Sequence, residues 1–321
     1  MYFPYLRGKQ FELLALKELS GFLGETRNVF PIIEPIRSPD GGLSRCLRSL
    51  SDSSVPYAVV ANPNVGELRG ELISDSIAAF VAQESLGEKG SLALLIHENT
   101  PVHQLLEAFE DRFGHNSRLV LVHKGLAGDL EFLSTESARL GRTYNVIDEG
   151  FVRPRYFRNF DSAGLGRVTL RDAFLRAERN ADYLPREESD FTDDHRFYIS
   201  EGWVGFGDYA TIGEPYVEGG FTPRAVAIHW TYEPNPNGPI KIRSFVSEAT
   251  NGDIANVGGK FLEAAGKLVA FLDNHNIHTR ASEVMRQHFA DGTYPGLGIV
   301  KKLSIQNHLE LVSTILARPA E

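Results

Sequence analysis

Polar and ionisable residues recur at one phase of this chain, at or just past the ends of short apolar runs. Leu6 is followed by Arg7, Ile33 by Glu34, Ala61 by Asn62, and Ile96 by His97 and Glu98. Val122 leads to His123 and Lys124, Ile147 to Asp148 and Glu149, Leu170 to Asp172, and Phe206 to Asp208. Carboxylates, two histidines and a lysine around one opening suit acid–base chemistry, or a hard divalent metal held by oxygen ligands. Glu34, His97, His123, Asp148, Asp172, Asp208 and, further on, His229 are the candidate catalytic residues. A divalent metal is the cofactor such a set would suit, with His97 and His123 able to add nitrogen ligands. The plainer reading of any one residue is a helix cap or a satisfied polar group. No HExxH helix, Walker loop, nucleophile elbow or GxGxxG turn narrows the choice.

Two basic turns carry a second signal. Arg7-Gly8-Lys9 precedes one helical pattern, and Gly296-Leu297-Gly298 with Lys301, Lys302 and Ser304 precedes the last one. Helix amino ends offer free N–H groups and the positive end of a dipole, which favour phosphate or carboxylate. Arg7, Lys9, Asn62, Lys124, Lys301 and Lys302 are therefore the candidate ligand-binding residues, with an anionic small molecule as the ligand. The two turns are expected to converge on one pocket, provided the first and last units of a closed barrel are neighbours. Lysines that only solvate a loop are the alternative.

The elements that must position these residues are short. The chain alternates apolar runs of strand length with amphipathic helical patterns, beginning with Tyr2 to Leu6 and the stripe Phe11, Leu14, Ala15, Leu19, Phe22, Leu23. The runs Val29 to Ile33, Tyr57 to Ala61, Leu92 to Ile96, Leu119 to Val122 and Tyr144 to Ile147 follow, with a helix through about Leu140. An irregular Arg-rich stretch from Phe151 to Gly166 precedes Val168 to Leu170 and Trp203 to Phe206. Eight such units predict a (β/α)8 TIM-like barrel, whose working face lies at the carboxyl ends of the strands. An open doubly wound sheet is the main rival. The whole chain, 1–321, reads as one barrel domain. An antiparallel hairpin (about 222–248) is inserted before the last barrel helix, Val257 to Leu272, and a C-terminal helical extension covers about 275–321. The acidic stretch Pro185 to His195 reads as a solvated loop. In Gly205-Phe206-Gly207-Asp208-Tyr209 the two glycines predict close backbone approach, with Asp208 at the strand's end.

Net charge is −9 and pI about 5.6, which argues against broad, sequence-independent nucleic-acid binding. The lone Cys46 excludes an internal disulfide or a cysteine-built zinc site. No apolar run approaches a membrane span, and MYFPYLRGKQ lacks a signal-peptide core, so a cytoplasmic location is expected.

Several stretches together resemble one bacterial family. They are Tyr2-Phe3-Pro4-Tyr5-Leu6-Arg7-Gly8-Lys9-Gln10, Ile32-Ile33-Glu34-Pro35, Arg179-Asn180-Ala181-Asp182-Tyr183 and Gly205-Phe206-Gly207-Asp208-Tyr209. Ala227-Ile228-His229, and Gly296-Leu297-Gly298 through Lys301-Lys302-Leu303-Ser304, complete the set. The family is named by locus tag and is similar to the wider "beta protein" family of bacteria and phages; the likeness spans essentially the whole chain. It implies a barrel-like fold and a role in phage defence or a mobile-element module, beside a small nuclease-like partner protein encoded nearby. It supplies no catalytic residues. The expected function is then a barrel with an anion-binding mouth, either a hydrolase of a phosphorylated or nucleotide-like ligand or a non-catalytic scaffold or sensor.

Overall fold

A computed structural model gives the fold and describes residues 1–84, 86–114, 117–139, 143–160, 166–219 and 224–319. Leu140, positions 161–165 of the Arg-rich stretch, positions 222 and 223 of the hairpin span and the last two residues lie outside these. Two compact units divide the chain. Met1–Asp172 with Phe197–Tyr209 form the first, and Ala173–Arg196 with Ala210–Glu321 the second.

The first unit is an α/β barrel. Its eight parallel strands follow sequence order: β1 (Tyr5–Leu6), β2 (Ile32–Ile33), β3 (Tyr57–Val60), β4 (Gly90–Ile96), β5 (Leu119–His123), β6 (Thr143–Asp148), β7 (Gly166–Arg171) and β9 (Gly205–Asp208). The intervening β8 (Glu188–Thr192) belongs to the second unit. The helices between barrel strands are α1 (Gln10–Thr26), α2 (Gly41–Asp52), α3 (Asp75–Glu84), α4 (Val102–Phe113), α5 (Leu130–Arg139) and the single turn α6 (Pro154–Phe157). Local signals start and stop them. Asp40 caps α2 by accepting from the Gly42 and Leu43 N–H groups at 2.8 and 3.2 Å, and Arg27 ends α1 in the left-handed region.

The strand pleat builds the barrel's interior. Phe3 and Tyr5, Phe30 and Ile32, Ala58 and Val60, Ala93 and Leu95, Val120 and Val122, and Val168 and Leu170 are buried in one cluster, each pair two residues apart. Closure comes at β9. Phe3 N–H donates to the Phe206 carbonyl at 2.8 Å, Phe206 N–H donates to the Met1 carbonyl at 3.1 Å, and a parallel bridge joins Tyr2 to Phe206. The seam explains the two glycines. A Cβ on Gly207 would stand 2.1 Å from the Phe3 carbonyl oxygen, and one on Gly205 would stand 2.5 Å from the Phe3 ring.

In the second unit, β10 (Ala227–Tyr232) and β11 (Ile240–Val246) form the expected antiparallel hairpin, in register from Ala227↔Val246 to Tyr232↔Lys241. The acidic stretch read as a loop is ordered: it continues from a 3-10 turn (Asn180–Arg186) into β8, which pairs with β11, and then into the turn α7 (Asp194–Phe197). Opposite charges account for the difference. Lys241 Nζ lies 3.1 Å from Glu188, Arg243 lies 3.1 Å from Glu187, and the ladder sets Lys241 against Asp190. Helix α8 (Val257–Asn274), read from the sequence as the last barrel helix, packs on β10 and β11. With α9 (Arg280–Ala290) and α10 (Leu297–Leu316) it covers a separate core of Ile228, Trp230, Phe245, Phe261, Leu268 and Leu303. The polar face of α10 is bound to β10. Asn307 donates to the Thr231 carbonyl at 2.8 Å, and Ser304 donates to that of His229.

Candidate functional site

The pleat that fills the barrel also selects what stands at its carboxyl end. Continuing the inward rows by two residues leads from Tyr5 to Arg7, Ile32 to Glu34, Val60 to Asn62, Leu95 to His97, Val122 to Lys124 and Val146 to Asp148; the row of β7 runs from Leu170 to Asp172, which is exposed. On β9 the inward row is Gly205, Gly207 and Tyr209. The six polar residues and Tyr209 thus form the layer above the apolar core, on the face where barrels of this kind place their sites.

Within that layer a buried cluster is tightly bonded. Arg7 is ion-paired with Glu34, both almost entirely out of water. Glu34 also accepts from the Tyr5 hydroxyl at 2.7 Å and from the Asn64 N–H at 2.9 Å, so both of its oxygens are engaged. Asp148 accepts from the Tyr209 hydroxyl at 2.5 Å and from the Gly150 N–H at 3.1 Å. Tyr5 and Tyr209 have ring centroids 5.2 Å apart. Both rings carry the same two cations: the Arg7 guanidinium at 5.1 and 5.6 Å, and the Lys124 ammonium at 5.2 and 5.1 Å. Burial, and then the carboxylate each one faces, push both phenols well above their ordinary pKa. They stay protonated as fixed donors. Buried charges persist when each is paired and hydrogen-bonded in this way.

Local sequence explains how Arg7 reaches in. Gly8 takes a left-handed φ of +62° against the Glu34 carbonyl, so the chain turns sharply from β1 into α1. The buried Glu12 carboxylate, in the first turn of α1, accepts the Arg7 N–H at 2.7 Å.

An open cleft of about 610 Å³ adjoins this cluster, and Lys124 belongs to both. Its walls include Asn62, Asn64, His97, Glu98 and Thr100. Asn62 is pinned by a two-way bond to the Leu95 backbone, at 3.0 and 2.8 Å, which sets the spacing of β3 and β4 at the mouth. His97 is held through its backbone N–H, which donates to Thr100 Oγ1 at 2.8 Å.

Other candidates lie elsewhere. His123, next to Lys124, has the opposite phase and points out of the barrel toward the helices. Its ring nitrogens meet the Tyr156 hydroxyl at 2.9 Å and Asn145 Oδ1 at 3.1 Å, and its ring lies 4.6 Å from Phe160. Complete burial pushes its pKa down to about 4, so it is a neutral packing residue. Asp208, next to Tyr209, likewise has the outward phase and accepts from the Tyr2 hydroxyl at 2.7 Å. Asp172 lies exposed just past β7. Lys9 holds the N-cap position of α1, where its carbonyl accepts from the Glu12 and Leu13 N–H groups.

His229, Lys301 and Lys302 belong to the second unit. His229 bonds Ser244 Oγ at 2.9 Å, packs edge-on against Phe174 and Tyr183, and has its pKa pushed down to about 4 by burial. The barrel closes at β9 within the first unit, and α10, which carries the second basic turn, packs on β10 and α9 in the second. Among the described residues, no group of three or more His, Cys, Asp or Glu side chains is placed to hold a metal ion.

Tyr5 and Tyr209 are not among the candidates that strand-end position alone identifies. The signal was there, since Tyr5 follows Phe3 by two and Tyr209 follows Gly207 by two. No family model and no curated protein matches the chain. Among the described residues, no helix is long and apolar enough to cross a membrane.

Proposed function

We propose that the mouth of the barrel binds a small phosphorylated molecule, with Lys124 as the contact and Arg7 as the charge behind it. Lys124 carries this reading. It is only 7% exposed, it is held against aromatic faces, and it lines the cleft through which a ligand would enter. An ammonium fixed in a partly dry site binds an oxyanion more strongly than one waving in water, because its immobilisation and desolvation are already met by folding.

In the catalytic form of this reading the protein is a hydrolase. His97, on the cleft wall, takes a proton from the water that attacks phosphorus; the ester P–O bond breaks, the leaving oxygen takes that proton from His97 to depart as the alcohol, and Lys124 and Arg7 stabilise the negative charge on the phosphoryl oxygens. One observation favours a second, non-catalytic form in which the barrel is a sensor or scaffold. The oxygens of Glu34 and Asp148 are all occupied as acceptors, so in the mouth layer acid–base chemistry falls to His97, with the Glu98 carboxylate beside it on the cleft wall. A place in a bacterial defence or mobile-element module, beside a nuclease-like partner, rests on the resemblance of the sequence motifs and belongs to either form.

The two forms separate in one experiment. Purified protein is incubated with a panel of phosphate monoesters, and both binding and release of inorganic phosphate are followed for wild type and His97→Asn. Turnover that His97→Asn loses while it still binds marks the hydrolase; binding without turnover in either protein marks the sensor. Absence of binding to any phosphate ester contradicts both.

A further inference from the structure

Phe151 is a residue that neither the acid–base set nor the anion set uses. It stands in the turn after β6, on the same face of the barrel as Lys124, and its N–H donates to the Asp148 carbonyl at 3.0 Å. Its neighbours in that layer, Tyr5 and Tyr209, are each 1% exposed, whereas Phe151 leaves 49% of its surface open. A half-exposed aromatic ring at a polar mouth offers a flat apolar face on which a ligand ring can bury area. Lys124 Nζ lies 5.5 Å from the centre of the Phe151 ring, so the ammonium and the open ring are side by side. The loop after β5 adds Leu126, 45% exposed, to the same rim.

We infer that Phe151 is a stacking platform, and that the phosphorylated ligand of the mouth is a nucleotide whose base lies on this ring while its phosphate meets Lys124. This rests on the reading of the mouth as a phosphate site and names the class of phosphate ester it takes. Stacking on a single aromatic face tolerates any base, because every base has a π-face, so the platform selects nucleotides from sugar phosphates without selecting one base. Lys124 fixes one end of the ligand and Phe151 the other. The buried tyrosines cannot share the second task, since each is only 1% exposed and already packed by Arg7 and Lys124.

The test is calorimetric titration of the full chain with adenosine 5′-monophosphate and with ribose 5-phosphate, for wild type and Phe151→Ala. Phe151 is exposed, so the substitution leaves the fold intact, which a melting curve verifies. The nucleotide is expected to bind wild type about tenfold or more tightly than the sugar phosphate, and Phe151→Ala to remove that advantage while leaving ribose 5-phosphate affinity unchanged. Equal binding of the two ligands by wild type, or a nucleotide preference that survives Phe151→Ala, overturns the platform and leaves the phosphate site standing. Failure of both ligands to bind wild type overturns the phosphate site and the platform with it.

Discussion

His123 and Lys124 are adjacent at the end of β5, and Asp208 and Tyr209 are adjacent at the end of β9, yet each pair is divided between two regions of the molecule. Lys124 and Tyr209 meet in the mouth, where charges, phenols and a cleft come together. His123 and Asp208 face outward, into the shell between strands and helices, where each is held by protein groups: Tyr156 and Asn145 in one case, Tyr2 in the other. Both regions are polar and buried. What separates them is one step of a two-residue period, which moves a side chain from one face of a sheet to the other. The outer shell spends its polar groups on holding elements together, and the mouth aims them at a space that a ligand can enter.

The contrast predicts which substitutions cost folding and which cost binding. The largest effect is expected at the inward seam. Gly207→Val places side-chain atoms against the Phe3 carbonyl, where backbone cannot yield cheaply, and should destabilise the protein by more than about 3 kcal/mol. Urea denaturation of purified protein measures this; a midpoint within error of wild type would show that Gly207 does not face the seam.

Next comes the pH response of the outer shell. His123 has a folded pKa of about 4 against an ordinary 6.5, so the unfolded chain takes up a proton that the folded one refuses. Stability is then fully present above about pH 6.5 and falls as pH drops toward 4, by up to about 3 kcal/mol for this group alone. His123→Gln should flatten part of that decline, read from denaturant midpoints at pH 7, 5.5 and 4.5. His229, also shifted to about 4, supplies a second contribution that remains in the variant. An unchanged slope in His123→Gln would mean that the ring is hydrated or charged in the folded state.

A smaller loss, about 2 kcal/mol, is expected for Asp208→Ala, which leaves the buried Tyr2 hydroxyl without its acceptor. Ligand affinity should not move. Loss of binding in a variant that melts normally would return Asp208 to the mouth.

Much of this architecture is legible in the sequence. Every barrel strand stands within about two residues of an apolar run, because a parallel strand buried on both faces is largely apolar. The seam glycines mark a close approach, and the proline, asparagine and glycine residues from Pro234 to Pro239 mark the turn of the hairpin. Membership of the mouth was readable only in part. The rule that a strand's carboxyl end carries the site picked Glu34, His97, Lys124 and Asp148, but also His123 and Asp208, because it ignores phase. Continuous apolar runs hide phase, since neither face is polar enough to mark the inside. Only the glycines of β9, which cannot face a helix with profit but can admit Phe3, reveal it. The strand β8 was hidden for another reason: Glu188 and Asp190 look solvated until Lys241 and Arg243, more than fifty residues away, are known to lie opposite. The place of α10 could not be read from its basic turn, because helix amino ends look alike wherever they pack.

The division between adjacent residues is tested most directly by a single pair of variants, Lys124→Met and His123→Gln, titrated calorimetrically with ribose 5-phosphate at pH 7.5. A charge-assisted contact to phosphate contributes about 1.5–3 kcal/mol, so Lys124→Met should weaken binding by about tenfold or more. His123→Gln, whose side chain lies on the other side of the same strand, should bind as wild type does once it is shown to be folded. Equal losses in the two variants, or none in Lys124→Met, would contradict the account.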